Sequence, residues 1–172
     1  MPAVVVGVVA LALALLSATL YAKLDQERSD RRAVQDVSGR FAAALLTYDY
    51  NELDQAKQRV LALSTGKFRK EYEQAFTGGL DTLFRETKAR SAGTVTDVFV
   101  GDISNETVTS IAVVDAVAQG SAGGRRLVSS YIQLQLVKVG GRWKVDGVTN
   151  LNLGAAAADT PGAATTTTAP SK

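Results

Sequence analysis

The chain lacks two residue types that carry much of protein chemistry. Among its 172 residues there is no cysteine and no histidine. Without cysteine there are no disulfides, no thiol nucleophiles and no metal sites of the cysteine type. The absence of cysteine does not indicate the redox compartment of the protein. Without histidine there is no Ser/His/Asp triad, no His-Glu-x-x-His motif and no imidazole base. We predict no catalytic residue, no metal site and no cofactor.

The chain also has a small net charge and few prolines. The net charge is +2 at pH 7, so the total charge does not favour nucleic acid or a strongly acidic partner. The three prolines are Pro2, Pro161 and Pro170, so no helix or strand between residues 3 and 160 is interrupted by a missing backbone donor. The length fits one domain with accessory segments.

A long apolar run lies near the N-terminus, from Ala3 to Ala22. It carries no charge, and as a helix it would span roughly 30 Å, about one bilayer core. Its five valines and five leucines favour membrane insertion. A cleaved signal peptide usually has a basic n-region, a core of about 7–15 residues and an A-x-A-like cleavage site, and these marks are missing here. We predict a retained transmembrane anchor over residues 1–22.

The charges around this anchor bear on its orientation. Lys23, Arg28, Arg31 and Arg32 follow the apolar run, and no basic residue precedes it. The positive-inside rule, taken alone, would place the following domain in the cytoplasm. A start codon assigned too far downstream would hide an upstream basic stretch. The charge pattern is therefore mildly adverse to an exported domain.

Apolar residues at steps of three and four predict three helices after the anchor. A charged connector over residues 23–32 has acid–base pairs at helical spacing, so the membrane helix can continue into it. The expected apolar faces are Val34, Val37, Phe41, Leu45 and Tyr48 in the first helix, Leu53, Ala56, Val60 and Leu63 in the second, and Phe68, Tyr72, Ala75 and Phe76 in the third.

Polar residues and glycines mark the expected helix boundaries. Asn51 or Asp49 can cap the second helix, and Thr65 can cap the third. The third helix should continue to about Arg90, with a bend or a split at the glycine pair 78–79.

After Gly93 the hydrophobic period changes to two, which predicts four strands. The strands are expected over residues 94–100, 107–118, 126–139 and 142–150, with a loop at 120–124 and a hairpin turn at the glycine pair 140–141. Strands joined by short loops imply an antiparallel sheet, and helices that precede them imply an α+β layer. We predict an α+β domain over residues 33–153 and a disordered Ala/Thr/Pro tail over 154–172.

Three helices followed by four antiparallel strands resemble the cone-shaped fold of nuclear transport factor 2, ketosteroid isomerase and the SnoaL-like proteins. Three motifs follow the single N-terminal span: L-x-x-Tyr-Asp-Tyr at Leu45 to Tyr50, Thr65-Gly66-Lys67-Phe68-Arg69, and Gly141-Arg142-Trp143-Lys144-Val145. In this order, over about residues 3 to 150, the four features are similar to those of the actinobacterial Mce-associated membrane proteins.

This resemblance implies a function for the chain. Such proteins are encoded with Mce transporters, which move lipids, including sterols and fatty acids, across the actinobacterial envelope. The resemblance implies a non-enzymatic accessory protein that stabilises or links the transporter complex. It also implies a single-pass protein with its cone domain on the extracytoplasmic side, against the charge rule. The implied partners are the membrane, Mce subunits or other envelope proteins, and lipid as a further candidate, but not nucleic acid.

Relatives of the ketosteroid isomerase type use a cone lined by acids and tyrosines. The candidates here are Tyr48, Tyr131, Asp97 and Asp115, since a carboxylate in an apolar cone can act as a base and a tyrosine can donate to an oxyanion. We favour the interpretation that these four residues have structural roles only: the two acids face water, and the two tyrosines are core or rim residues.

Two alternative functions follow from these candidates. The chain could be an anchored enzyme of this fold acting on a small apolar substrate, or a stand-alone lipid-binding module. A buried, unpaired acid beside a tyrosine would support the enzyme, whereas a filled core with an exposed apolar sheet face would support a binding module. The sequence does not name the transported lipid, the partner subunit or the oligomeric state.

Overall fold

The computed structural model describes residues 25–151 of the chain. The predicted anchor (Ala3 to Ala22) and the predicted tail (154–172) lie outside this range. Between residues 25 and 151, no helix is both long enough and apolar enough to cross a membrane.

Helices come first along the chain and strands follow. Helix α1 extends from residue 25, the first described residue, to residue 46. A short strand and three further helices follow: β1 (Tyr48–Asp49), α2 (Leu53–Leu63), α3 (Gly66–Ala75) and α4 (Asp81–Glu86). The main strands are β2 (Arg90–Val100), β3 (Thr107–Gly120), β4 (Gly123–Val139) and β5 (Arg142–Asn150).

The strands form one curled sheet in the order β1-β2-β3-β4-β5, and all neighbours are antiparallel. The predicted α+β class and antiparallel sheet are therefore confirmed. The predicted number of four strands is wrong, because Tyr48 and Asp49 pair with Ser91 and Arg90 and add a fifth strand at the edge. Tyr48 thus begins a strand and does not extend the apolar face of the first helix. Two residues are too few to show a period of two in the sequence.

The third predicted helix is split, as its glycine pair indicated. A π-helical turn over Phe76–Leu80 separates α3 from α4, and Gly79 has a φ of +114° inside it. Helix α4 ends earlier than predicted, because Lys88 adopts a φ of +50° and the Ala89 N–H donates to the Phe84 carbonyl. The residues from Arg90 to Gly93 are therefore free to join β2.

The N-terminus of α3 is capped from the sheet. Thr65 occupies the cap position, but its side chain makes no capping hydrogen bond. Instead Asp146, the extra residue of a bulge in β5, accepts a hydrogen bond from the Lys67 N–H at 3.2 Å. Gly66 has a φ of +50°, and a Cβ there would lie 1.7 Å from Oδ1 of Asp146. The Thr-Gly-Lys motif is therefore a joint between a helix and the sheet.

The predicted caps of α2 are also not used. Glu52 precedes the helix without a side-chain cap. Asp49 instead accepts a hydrogen bond from the Asn51 N–H at 2.9 Å, which closes the turn before the helix.

The core lies between the helices and one face of the sheet. Alternate residues of β3, β4 and β5 point into it, as their period of two predicted. The main cluster contains Val34, Phe41, Ala42, Val60, Val108, Ala112, Val114, Ile132, Leu134, Leu136, Trp143 and Val145. A hydrogen bond of 2.7 Å between the buried hydroxyls of Ser38 and Ser110 joins α1 to β3 inside this core.

Candidate functional site

The interior of the cone, where a substrate would bind, is filled by aromatic side chains. The rings of Phe41, Phe68, Tyr72 and Phe76 form a continuous row, with successive centroids 5.2, 5.5 and 5.1 Å apart. Burial raises the pKa of Tyr72 to about 12, so this phenol stays neutral at physiological pH. The row packs α3 against α1 and the core cluster.

The buried polar groups of the described chain are hydroxyls, not acids. Among residues 25–151 they are Ser38, Ser64, Ser110 and Ser130. No buried side-chain nitrogen or oxygen in this range lacks a hydrogen-bond partner. Within the described residues, then, the interior holds no unpaired acid beside a tyrosine, which was the arrangement that would support an enzyme.

Asp97 and Asp115 lie on the opposite face of the sheet, beside bulges. Asp97 follows the bulged residue Thr96 and accepts a hydrogen bond from the Val98 N–H at 2.7 Å. Asp115 lies opposite a bulge in β4 and accepts from the Ser129 N–H at 2.7 Å, where Ser129 has a φ of +51°. Each carboxylate therefore satisfies backbone that a bulge leaves unpaired.

The two candidate tyrosines are separated by the sheet. Tyr48 stacks on Phe84 of α4 with ring centroids 4.7 Å apart, and burial raises its pKa. Tyr131 lies on the outer face, opposite Val113, and is 44% exposed. The structure therefore groups Tyr131 with the two aspartates outside the cone, whereas Tyr48 lies in the edge strand, against α4.

Tyr48 does line an open concavity of about 360 Å³ that also contains carboxylates. One is Asp49, whose carboxylate accepts the Asn51 N–H and pairs with Arg90 at 3.1 Å. The concavity is bordered by Arg59 and Glu52 as well. The Asp49 carboxylate is therefore engaged by a guanidinium and a backbone donor of the protein itself.

The outer face of the sheet exposes a group of apolar side chains, which we call the outer apolar face. It consists of Phe99, Ile111, Val113, Val117 and Tyr131. The register places Phe99 opposite Ile111 and Val113 opposite Tyr131, so these four side chains are contiguous, and Val117 follows on the same face beyond Asp115. Phe99 is 57% exposed. Contiguous exposed apolar groups of this kind mark interaction surfaces in soluble domains.

Both edges of the sheet are partly covered by the chain itself. Along β2, the Gly93 N–H donates to the Thr47 hydroxyl at 3.2 Å, and the Val100 carbonyl accepts from Arg31 at 2.8 Å. Along β5, the Val145 carbonyl accepts from the Thr65 N–H at 2.8 Å. Covered edges disfavour the addition of a partner strand, so the faces of the domain are better candidates for contact than its edges.

The beginning of α1 is fixed to the sheet by a cluster around Asp30. Its Oδ1 accepts hydrogen bonds from Lys138 Nζ at 2.7 Å and from Trp143 Nε1 at 3.1 Å. The ammonium of Lys138 is the main cause that lowers the pKa of Asp30. Asp30 belongs to the predicted connector (23–32), so the connector's helix packs against the hairpin of β4 and β5.

No family model matches the chain, and no curated protein matches it by sequence. Solved structures do match it in fold. The periplasmic domain of DotI aligns with a TM-score of 0.57 and 11% identity, covering 69% of this chain and 93% of that one. An IcmL-like type IV secretion system protein of Legionella pneumophila aligns with a TM-score of 0.56 and 12% identity, covering 70% of this chain and 90% of that one. CagV, a VirB8 homologue of the type IV secretion system of Helicobacter pylori, aligns with a TM-score of 0.51 and 12% identity, covering 69% of this chain and 96% of that one.

At such low identity these likenesses define the fold alone. The chain is an α+β protein of the cone type, with a curled antiparallel sheet behind helices. Two of the three similar structures are described as secretion system proteins and the third as a periplasmic domain, so the resemblance to Mce-associated proteins stays a prediction from the sequence motifs.

Proposed function

We propose that this chain is a non-enzymatic accessory protein of the cell envelope that stabilises or links an Mce-type lipid or sterol import system. In this proposal the segment Ala3 to Ala22 anchors it in the membrane, and the cone domain lies on the extracytoplasmic side. The observation that carries the non-enzymatic part of the proposal is the combination of a packed core with an exposed apolar sheet face, and the link to an Mce system rests on the sequence motifs.

The filled interior supports a role without catalysis. A general base must lie within hydrogen-bond reach of a substrate that the site has room to hold. The aromatic row from Phe41 to Phe76 packs against the core, and the buried polar residues among 25–151 are serines. An anchored enzyme of this fold is therefore the weaker alternative.

The likeness to a periplasmic domain supports the extracytoplasmic side. The attachment of α1 supports a position close to the bilayer, because the predicted anchor ends at residue 22 and α1 is already helical at residue 25. Asp30 and Arg31 then tie this helix to the sheet. The start of the domain would thus be held near the membrane surface, where the domain can contact a membrane-embedded complex.

Co-purification from native membranes tests the proposal. Tagged full-length protein, solubilised in mild detergent, should recover Mce subunits. The double variant Phe99→Glu/Val117→Glu should recover at least fivefold less, because two charges on the outer apolar face oppose burial. Leu83→Glu is the matched control, since Leu83 is 52% exposed on α4, away from that face.

Two outcomes would count against different parts of the proposal. Failure of the wild type to recover any Mce subunit would contradict the link to the transporter. Equal recovery by the wild type and the Phe99→Glu/Val117→Glu variant would keep that link but contradict the assignment of the contact to the outer apolar face.

A further inference from the structure

A second candidate surface lies on the helical side of the domain, where α1 and α2 leave an open groove of about 490 Å³. We call it the helical groove. Its lining residues are Arg40, Ala43, Ala44, Thr47, Arg59, Ala62 and Leu63. The lining is mostly apolar and includes the two arginines.

The groove continues along the exposed side of α2. A second concavity of about 610 Å³ shares Arg59 and Ala62 with it and extends back to Asp54. Together the two concavities follow nearly all of α2, an 11-residue helix whose length is roughly 16 Å. A shallow groove of this length leaves one side of an acyl chain in water, whereas small-molecule sites bury most of their ligand. Its shape suits the binding of a helix.

The charge around the groove is positive at the C-terminal end of α2. Among the described residues, no carboxylate lines the part of the groove between α1 and α2, and Asp54 borders its extension at the far, N-terminal end of α2. Arg69 donates to the Leu61 carbonyl at 2.9 Å, and Lys144 donates to the Ala62 carbonyl. These two cations complement the helix C-terminus, and the arginines of the groove add to them.

The cations here are crowded. Burial lowers the pKa of Lys144, and neighbouring guanidinium groups lower it further. These guanidiniums belong to Arg142, Arg69 and Arg40. The neutralising partners are exposed: Asp36 pairs with Arg40 at 3.3 Å and Glu73 with Arg69 at 3.2 Å. Exposed pairs of this kind offset little of the repulsion, so an added anionic group would be stabilised.

We infer that the helical groove binds an acidic amphipathic helix of a partner protein. The apolar face of that helix would lie on Ala43, Ala44 and Ala62, and its carboxylates would pair with Arg40 and Arg59. A second copy of this chain fits less well, because a symmetric contact through the groove would bring like charges together. The inference does not depend on the identity of the transporter.

Site-specific photo-crosslinking in native membranes tests this inference. p-Benzoylphenylalanine would replace Ala62 in the full-length protein, with Gln74 on the exposed side of α3 as the control position. We expect the Ala62 probe to give an adduct, absent from the Gln74 probe, that mass spectrometry maps to an acidic segment of another protein with helical apolar spacing.

Charge reversal supplies the second arm. Arg40→Glu/Arg59→Glu should lower the adduct yield at least tenfold, whereas Arg40→Lys/Arg59→Lys should retain most of it. Arg125→Glu/Arg126→Glu makes the same charge change on the distant β4 and should leave the yield unchanged. Circular dichroism checks that each variant folds, and the single Arg59→Glu variant carries the test if the double variant does not.

Several results would overturn the inference. These are a lipid adduct, an adduct with a second copy of this chain, a mapped segment that is not acidic, a yield no higher than that from Gln74, or a yield that charge reversal leaves intact. None of these bears on the outer apolar face, so the failure of this inference is distinguishable from the failure of the proposed function.

Discussion

Replacement of Asp30 by alanine should destabilise the domain by about 2 kcal/mol. The change removes a charge-assisted hydrogen bond to Lys138 and the acceptor for Trp143 Nε1. One such bond contributes about 1.5–3 kcal/mol, and breaking a fully buried pair costs about 3–5 kcal/mol. The side chains of Asp30 and Lys138 are each 17% exposed, so solvent screening reduces the cost toward the lower range.

The assay follows from composition. The chain has one tryptophan, Trp143, and it lies inside this cluster, so its fluorescence reports the region directly. Urea unfolding of the full-length protein in mild detergent, followed by this fluorescence, gives the free energy of unfolding. Asp30→Asn keeps an acceptor for the indole N–H, so it should lower the free energy of unfolding by only about half as much as Asp30→Ala does.

The pH dependence gives a second reading of the same cluster. Because Lys138 holds the pKa of Asp30 below its ordinary value, folding favours the ionised carboxylate. This contribution is complete above the unfolded-state pKa of about 4 and is lost as pH falls through the folded-state pKa. The difference between wild type and Asp30→Ala should therefore shrink at about pH 2. A cost below about 0.5 kcal/mol at pH 7, or a difference that does not shrink in acid, would refute the reasoning.

Two further predictions concern the joint at α3 and the orientation of the domain. Gly66→Ala should lower the free energy of unfolding in urea by about 2–3 kcal/mol, because it strains a positive φ and displaces the cap from Asp146. The control Gly78→Ala, where a Cβ meets open space, should change the free energy of unfolding by less than about 1 kcal/mol. Equal effects of the two substitutions would contradict the cap. Ser121→Cys would introduce the only cysteine, in the exposed turn between β3 and β4, and a membrane-impermeant maleimide should label it in intact spheroplasts. Labelling only after lysis would contradict an extracytoplasmic domain.

The parts of the fold that depend on local pattern could be predicted from the sequence. Alternation placed β3, β4 and β5 and the residues that face the core, because one buried face requires a period of two. The glycine pair 78–79 predicted the split of the third helix. The two-residue strand at Tyr48 could not be predicted in this way, because its partner in β2 comes from tertiary pairing.

The contacts that define the candidate surfaces are also non-local. Asp30 lies 108 residues from Lys138 and 113 residues from Trp143, so nothing near it in the sequence indicates its role. The helical groove likewise arises only when Arg40 and Arg59 are brought together by the packing of two helices. The sequence did not indicate which residues form the outer apolar face.

The three bulges of the sheet share a feature that bears on how firmly the strands are aligned. Asp97, Asp115 and Asp146 each lie at or opposite a bulge and each accepts a hydrogen bond from a backbone N–H. A slip of one residue in β2 or β3 would turn the carboxylate of Asp97 or Asp115 toward the apolar core, and a slip in β5 would move the Asp146 carboxylate away from the Lys67 N–H. Each of the three aspartates thus favours one alignment of its strand. This alignment determines which side of the sheet faces the helices and which side stays available to a partner.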